Sequence, residues 1–214
     1  MGSIRLRPLV RRVLHAFRPA IRRRQFNSYE KYVAVQTAAN EAKLDRVWVR
    51  PGELETIARC LRDALPSIRF GLCHGVRNGA EVRRFRELLG CDVVGTDISE
   101  TAEQFPGVVR QDFHEARPEW LGACDFIYSN SLDHSFDPER ALRTWLSCLA
   151  DHGLILLHWS PEHDQRSFGI ENADCFQATR AGYESLIRSV GSLRDTLTLP
   201  DDRCVFVFGP VHSR

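Results

Sequence analysis

Two periods organise the chain. Strand-like runs bounded by turn residues fall at 69–73, 92–98, 108–113, 124–130 and 153–159, and two more near 193–199 and 204–209 are separated by the turn Pro200–Asp201–Asp202. Between the runs, apolar residues recur at helical spacing. Val82, Phe85, Leu88 and Leu89 make one stripe over 80–89, with Arg83, Arg84, Arg86 and Glu87 opposite and Gly90 as a stop. A helix opened by Asp137–Pro138 carries Ala141, Leu142, Trp145, Leu146 and Leu149 inward, and a long one over 173–190 carries Phe176, Tyr183, Leu186, Ile187 and Val190. Ahead of the first strand, 28–44 reads as a helix capped by Asn27 or Ser28. A second helix after Pro51 buries Leu54, Ile57, Ala58, Leu61 and Leu65. Strands alternating with helices predict a doubly wound, mostly parallel sheet.

The first strand stops at the turn HGVRNG, whose Gly75 and Gly79 admit positive φ and close approach of backbone N–H groups to a ligand. The second strand ends in Thr96–Asp97, which places a carboxylate 18 residues after Gly79, where a doubly wound sheet presents an acid to the ribose of an adenosine cofactor. The third ends in Asp112–Phe113. The fourth runs into a polar cluster, Ser129, Asn130, Ser131, Asp133 and His134. All of these lie at carboxyl ends of strands, the edge that lines the ligand crevice.

Over 69–210 this series resembles the class I, Rossmann-like methyltransferases that use S-adenosyl-L-methionine. The resemblance implies seven strands in the order 3-2-1-4-5-7-6, helices on both faces, and an N-terminal helical extension. It divides the chain into a basic segment 1–26, an extension 27–66 and a methyltransferase domain 67–214. The turn departs from the family's acid-x-Gly-x-Gly-x-Gly: the acid position is Gly71, and two glycine positions are Cys73 and Arg77. The implied cofactor residues are Gly71, Cys73, His74, Gly75, Arg77, Asn78, Gly79, Asp97, Ile98, Asp112, Phe113, Ser129, Asn130 and Ser131. In such enzymes an acid and an apolar residue at this strand end hold the adenine amino group and cover the ring, roles that fall to Asp112 and Phe113 unless Asp112 is a plain loop aspartate. Segments ahead of the first strand often cover the cofactor or acceptor, so Tyr29, Tyr32, Gln36, Asn40 and Trp48 either line the site or pack their helices, packing being the commoner role.

Composition narrows the partners. The net charge of +1 hides eight arginines and no acid in residues 1–24, leaving the rest about seven units negative, unlike a nucleic-acid reader. The arginine-rich opening is a solvated tail, a basic amphipathic helix on an anionic membrane, or a targeting segment. No apolar run reaches membrane-spanning length, and a soluble, cytoplasmic protein is expected. Seven cysteines without C-x-x-C spacing suit reduced, buried thiols.

Methyl transfer asks for placement of a nucleophile and a base to take its proton. Histidine, with a free pKa near 6.5, suits that task. His134 is the first candidate, oriented by Asp133 or Asp137, and His158 and His163 at the end of the fifth strand come next. Asp133, His134, His158, His163 and Asp164 are also metal-ligand types, but their spacing matches no ligand pattern and no metal is assigned. The favoured acceptor is a hydroxyl on a small molecule, lipid or glycan. Two other functions use the same sheet: a non-catalytic adenosine binder, and a nicotinamide-dependent oxidoreductase, against which the absence of Gly-x-Gly-x-x-Gly in the turn argues.

Overall fold

The computed structural model describes residues 21–164 and 174–211. Seven strands form one sheet: β2 (Phe70–His74), β3 (Asp92–Asp97), β4 (Val108–Arg110), β5 (Cys124–Ser129), β6 (Leu149–Trp159), β8 (Ser192–Thr198) and β9 (Cys204–Gly209). Their spatial order is β4-β3-β2-β5-β6-β9-β8, which is 3-2-1-4-5-7-6 in the numbering of the seven. β9 runs antiparallel to both of its neighbours, and the other pairs are parallel. The closing hairpin turns at Asp201 and Asp202, both at positive φ, a conformation in which aspartate is among the better tolerated residues.

Both faces are covered, as a parallel sheet requires. On one side α2 (Glu53–Ala64) and α3 (Ala80–Leu89) bury Ile57, Leu61, Val82 and Phe85 against Phe126, Tyr128, Leu156 and Val205. On the other, α4 (Pro138–Cys148) and α5 (Arg180–Val190) bury Leu142, Trp145, Tyr183 and Ile187 against Leu72, Ile127, Phe206 and Phe208. Side chains alternate between the two layers along each strand, so β5 is buried throughout. α1 (Tyr29–Glu41), capped by Ser28, lies outside both layers and buries only Tyr32 and Gln36.

One expectation needs correction. The helix expected from 173 begins at Arg180, where the Thr179 side chain accepts the N–H of Gly182. Phe176–Ala178 instead forms strand β7, paired antiparallel with β1 (Ile21–Arg23) in a separate two-stranded sheet. The links from β3 to β4 and from β4 to β5 hold short 3₁₀ turns, Glu100–Gln104 and Pro118–Trp120. Most of the arginine-rich opening lies outside the described residues. Among the described residues no helix is long and apolar enough to cross a membrane. All seven cysteines are free, Cys60 and Cys91 partly exposed and the others buried.

Candidate active site

The carboxyl ends of β2, β3, β4 and β5 open onto a two-lobed cavity roofed by α1 and the loop after it. Lys43, Gly75, Arg77, Ser131 and His134 line both lobes. The first holds Tyr32, Gln36, Asn40, Asp97, Ile98, Asp112 and Phe113. The second holds Trp48, Asn78, Glu81, Asn130, Asp133, Glu162, His163 and Asp174.

The glycine turn is bent by three left-handed residues, Gly75 at φ 71°, Arg77 at 47° and Gly79 at 69°. A Cβ at Gly75 would run into the Ser131 side chain, so that glycine is required by both conformation and space. Arg77 adopts the left-handed conformation without being glycine, at a cost of about 1–2 kcal/mol. Its backbone N–H donates to Asp97 Oδ2 at 2.9 Å, and its guanidinium donates to the Arg46 carbonyl at 3.1 Å. Asn78 reaches the Leu44 carbonyl at 2.9 Å. Turn and roof are thereby joined.

Asp97 also accepts the Ser99 N–H on Oδ1 at 3.0 Å. Burial raises its pKa, and the N–H groups of Ser99 and Arg77 pull it back without cancelling the rise. Each oxygen keeps acceptor capacity toward the cavity, since an ionised carboxylate has about four acceptor positions. Asp112 is more fully engaged. Its Oδ1 accepts the backbone N–H of His114 at 2.9 Å and faces His114 Nδ1 at 2.6 Å, and its Oδ2 accepts the Tyr29 hydroxyl at 2.7 Å. His114 Nε2 stands 2.7 Å from Ser135 Oγ. Burial pushes the Asp112 carboxyl up, but the His114 and Tyr29 hydrogen bonds outweigh it and hold it below the usual range.

The remaining expected site residues divide by position. Ser129, fully buried, donates to the His74 carbonyl at 3.0 Å and accepts the Ser131 N–H at 3.1 Å, so it clamps the ends of β2 and β5 behind the cavity. Ser131 donates to the Gly75 carbonyl at 3.0 Å, and Asn130 donates to Glu81 at 3.2 Å. Gly71, Cys73, His74 and Gly79 do not line either lobe. A side chain at Gly71 would strike the Phe126 ring, so close packing inside the sheet accounts for that glycine. Burial drives the Cys73 thiol well up, and His74, stacked on Trp145 at 4.9 Å, is pushed down to about 3 and is neutral.

The four catalytic candidates also separate. His158 is fully buried away from the cavity, with Nδ1 3.2 Å from the Tyr128 hydroxyl and Nε2 3.8 Å from Glu53 Oε1. Burial, then Arg203 and His163, lower its pKa to about 2, so the Glu53 contact is not an ion pair. His163 lines the second lobe, stacked between Trp48 at 5.3 Å and Tyr183 at 6.0 Å. His134 stands where the lobes meet, its side chain 28% exposed. Its Nε2 is 3.8 Å from Asp133 Oδ2, its Nδ1 is buried without a hydrogen bond, and its carbonyl accepts the Tyr32 hydroxyl at 3.2 Å.

Tyr32, Gln36, Asn40 and Trp48 line the cavity, and Tyr29 reaches it through Asp112. Lys43, His114 and Asp174 were not anticipated. Lys43 continues the stripe of Tyr32, Gln36 and Ala39 at helical spacing, a signal present in the sequence.

No protein-family profile and no curated protein matches the chain. Solved structures do. The 1,6-didemethyltoxoflavin-N1-methyltransferase of Burkholderia thailandensis, with 1,6-didemethyltoxoflavin and S-adenosylhomocysteine bound, matches with a TM-score of 0.69 at 15% identity, over 90% of this chain and 95% of that one. A sugar N-methyltransferase from Streptoalloteichus matches at 0.60 and 16%, over 76% and 88%. The geranyl diphosphate C-methyltransferase of Streptomyces coelicolor, in complex with Mg2+, geranyl diphosphate and S-adenosylhomocysteine, matches at 0.57 and 14%, over 79% and 88%. The fold is that of the class I S-adenosylmethionine-dependent methyltransferases.

Proposed function

We propose that the chain is an S-adenosyl-L-methionine-dependent methyltransferase acting on a hydroxyl of a small molecule, lipid or glycan. One observation carries the reading. Asp97 and Asp112, carboxylates at successive strand ends, share a lobe with the left-handed turn at Gly75 and Arg77, and a second lobe opens beside them through His134.

The residues fit the cofactor. Asp97 has acceptor capacity left for ribose hydroxyls, Gly75 and Arg77 bring the backbone of the turn to the wall of the same lobe, and Ile98 and Phe113 supply apolar cover for a base. Gly71, Cys73, His74, Gly79 and Ser129 enter the proposal only as supports of the turn and strand ends. When bound, the cofactor supplies an electrophilic methyl group on a sulfonium. The chain's part is then placement and proton removal. Placement alone can supply about 7–11 kcal/mol when alignment is good. His134, at the junction of the lobes, is the group that meets the acceptor hydroxyl, and a base there adds roughly a hundred- to ten-thousand-fold. Asp133 beside it orients the ring. His163 contributes to the wall of the acceptor lobe, and His158 holds that wall from beneath Trp48 at 4.9 Å.

The neighbours named above act on 1,6-didemethyltoxoflavin, a sugar and geranyl diphosphate, which supports a small acceptor. Calorimetry with S-adenosylhomocysteine tests the cofactor. Comparison of metabolites and glycans between a deletion strain and its parent, sought as a 14-dalton loss, tests the acceptor.

A further inference from the structure

The acceptor lobe contains a buried acid with nothing to hold it. Asp133 is 8% exposed, and its Oδ1 has no hydrogen-bond partner. The neighbouring ring nitrogen, His134 Nδ1, is equally buried and equally unpartnered. Asp174 completes the cluster: one ligand atom from each of Asp133, His134 and Asp174 lies within 4.8 Å of the others. Among the described residues no Lys or Arg forms an ion pair with either aspartate; Lys43 in the same lobe acts on Asp174 only at longer range, and His134 Nε2 stands 3.8 Å from Asp133 Oδ2. A buried carboxylate with an oxygen that has no donor, beside a second, partly exposed carboxylate, costs free energy unless a cation joins them.

We propose that Asp133, His134 and Asp174 bind a divalent metal ion that holds the acceptor oxygen in the second lobe. This deepens the methyltransferase reading and rests on it for the identity of the acceptor lobe. Two carboxylates and one imidazole suit Mn2+ or Zn2+, since carboxylates favour harder ions and imidazole the borderline ones. Three protein ligands leave coordination positions open for substrate, as catalytic metal sites do. Ligand atoms bound at about 2.0–2.2 Å lie roughly 3–4 Å apart, so the cluster must draw in by about an ångström. The His134 ring is partly exposed and its Nδ1 makes no hydrogen bond, which leaves it the freedom to do so. In the metal-loaded chain His134 would be a ligand, and the ion would lower the pKa of the acceptor hydroxyl so that its proton passes to water in the open lobe.

The backbone brings the set together from distant parts of the chain. Asp133 and His134 sit on the 3₁₀ turn Leu132–His134 after β5, and the N–H of Cys175, next to Asp174, donates to the Asp133 carbonyl at 2.6 Å. That hydrogen bond fixes the approach of Asp174.

The test is titration of the purified full chain with Mn2+, followed by loss of the free-ion electron paramagnetic resonance signal, with Zn2+ competition as a second arm. One ion per chain is expected. Asp174→Ala and Asp133→Asn should each weaken binding by more than about a hundredfold, beyond the roughly 10- to 100-fold that loss of a supporting group around a metal costs. Melting temperature and S-adenosylhomocysteine affinity, measured on the same preparations, show whether the variants fold and whether the cofactor reading holds. Binding of S-adenosylhomocysteine without binding of either metal, or equal metal affinity in a folded Asp174→Ala, would overturn the metal site and leave the methyltransferase reading standing.

Discussion

The carboxylate of Asp97 accepts the backbone N–H of Arg77 at 2.9 Å, so the end of β3 and the turn after β2 form one unit. A residue in a left-handed conformation without glycine is retained because its N–H has a buried acid to meet. Asp97→Asn should therefore loosen the turn as well as weaken contact with a ribose. The expected result is faster amide exchange at Arg77 and Ser99 in the variant, measured by deuterium exchange. Unchanged protection at both would show that the acid does not hold the turn.

Gly75→Val should abolish binding of S-adenosylhomocysteine. Valine at φ 71° is strained, and its Cβ would collide with Ser131, whose hydroxyl holds the Gly75 carbonyl. The turn would have to move into the cofactor lobe. Calorimetry and a melting curve on one preparation separate lost binding from lost folding, and parental affinity would place the cofactor elsewhere.

His134→Ala should lower turnover by at least about a hundredfold while leaving S-adenosylhomocysteine affinity within a few-fold of the parent. The ring stands at the junction of the lobes, whether it takes the proton or holds a metal. Near-parental turnover would leave placement alone to account for catalysis.

Arg203 and Glu53 are each 3% exposed, with Nε 2.8 Å from Oε1, and the guanidinium lies 3.8 Å from the Trp48 ring centroid. The pair connects the hairpin, α2 and the wall of the acceptor lobe. Arg203→Met would leave a buried carboxylate uncompensated, at a cost of about 3–5 kcal/mol. Adding Glu53→Gln should recover part of it. A urea midpoint for the double variant below that of Arg203→Met would contradict this.

His74 and His158 set the response to acid. Both are held neutral by burial, with pKa values near 3 and 2, below the unfolded value near 6.5. The unfolded chain binds these protons first, so stability is full above about pH 6.5 and falls as pH drops toward the folded values, by up to about 1.4 kcal/mol per pH unit for each ring. His158→Phe should flatten the decline between pH 6 and 4. A slope equal to the parent's would mean that His158 is not buried neutral.

The parts of the site legible in the sequence are those that lie at strand ends. Asp97, Asp112, Ser131 and His134 could be placed together because parallel strands bring their carboxyl ends to one edge, whatever the intervening helices do. Gly71 could not be explained that way. It stands where the family carries an acid, and its reason is the ring of Phe126 on the neighbouring strand, a contact that spacing does not reveal. His114 lies just past the strand-end pair Asp112–Phe113 and carries no motif of its own, although a histidine two residues after an acid is well placed to turn back on it. Asp174 was illegible for a deeper reason. Its position follows from the pairing of β7 with β1, a non-local strand pair hidden in a stretch that reads as helix.

The account stands most directly on one titration, S-adenosylhomocysteine into the full chain and into Asp97→Ala. It predicts one ligand per chain and an affinity loss of about 10- to 150-fold in the variant, the equivalent of a charge-assisted hydrogen bond worth about 1.5–3 kcal/mol. Absence of binding to the parent, or equal affinity in a folded Asp97→Ala, would contradict it.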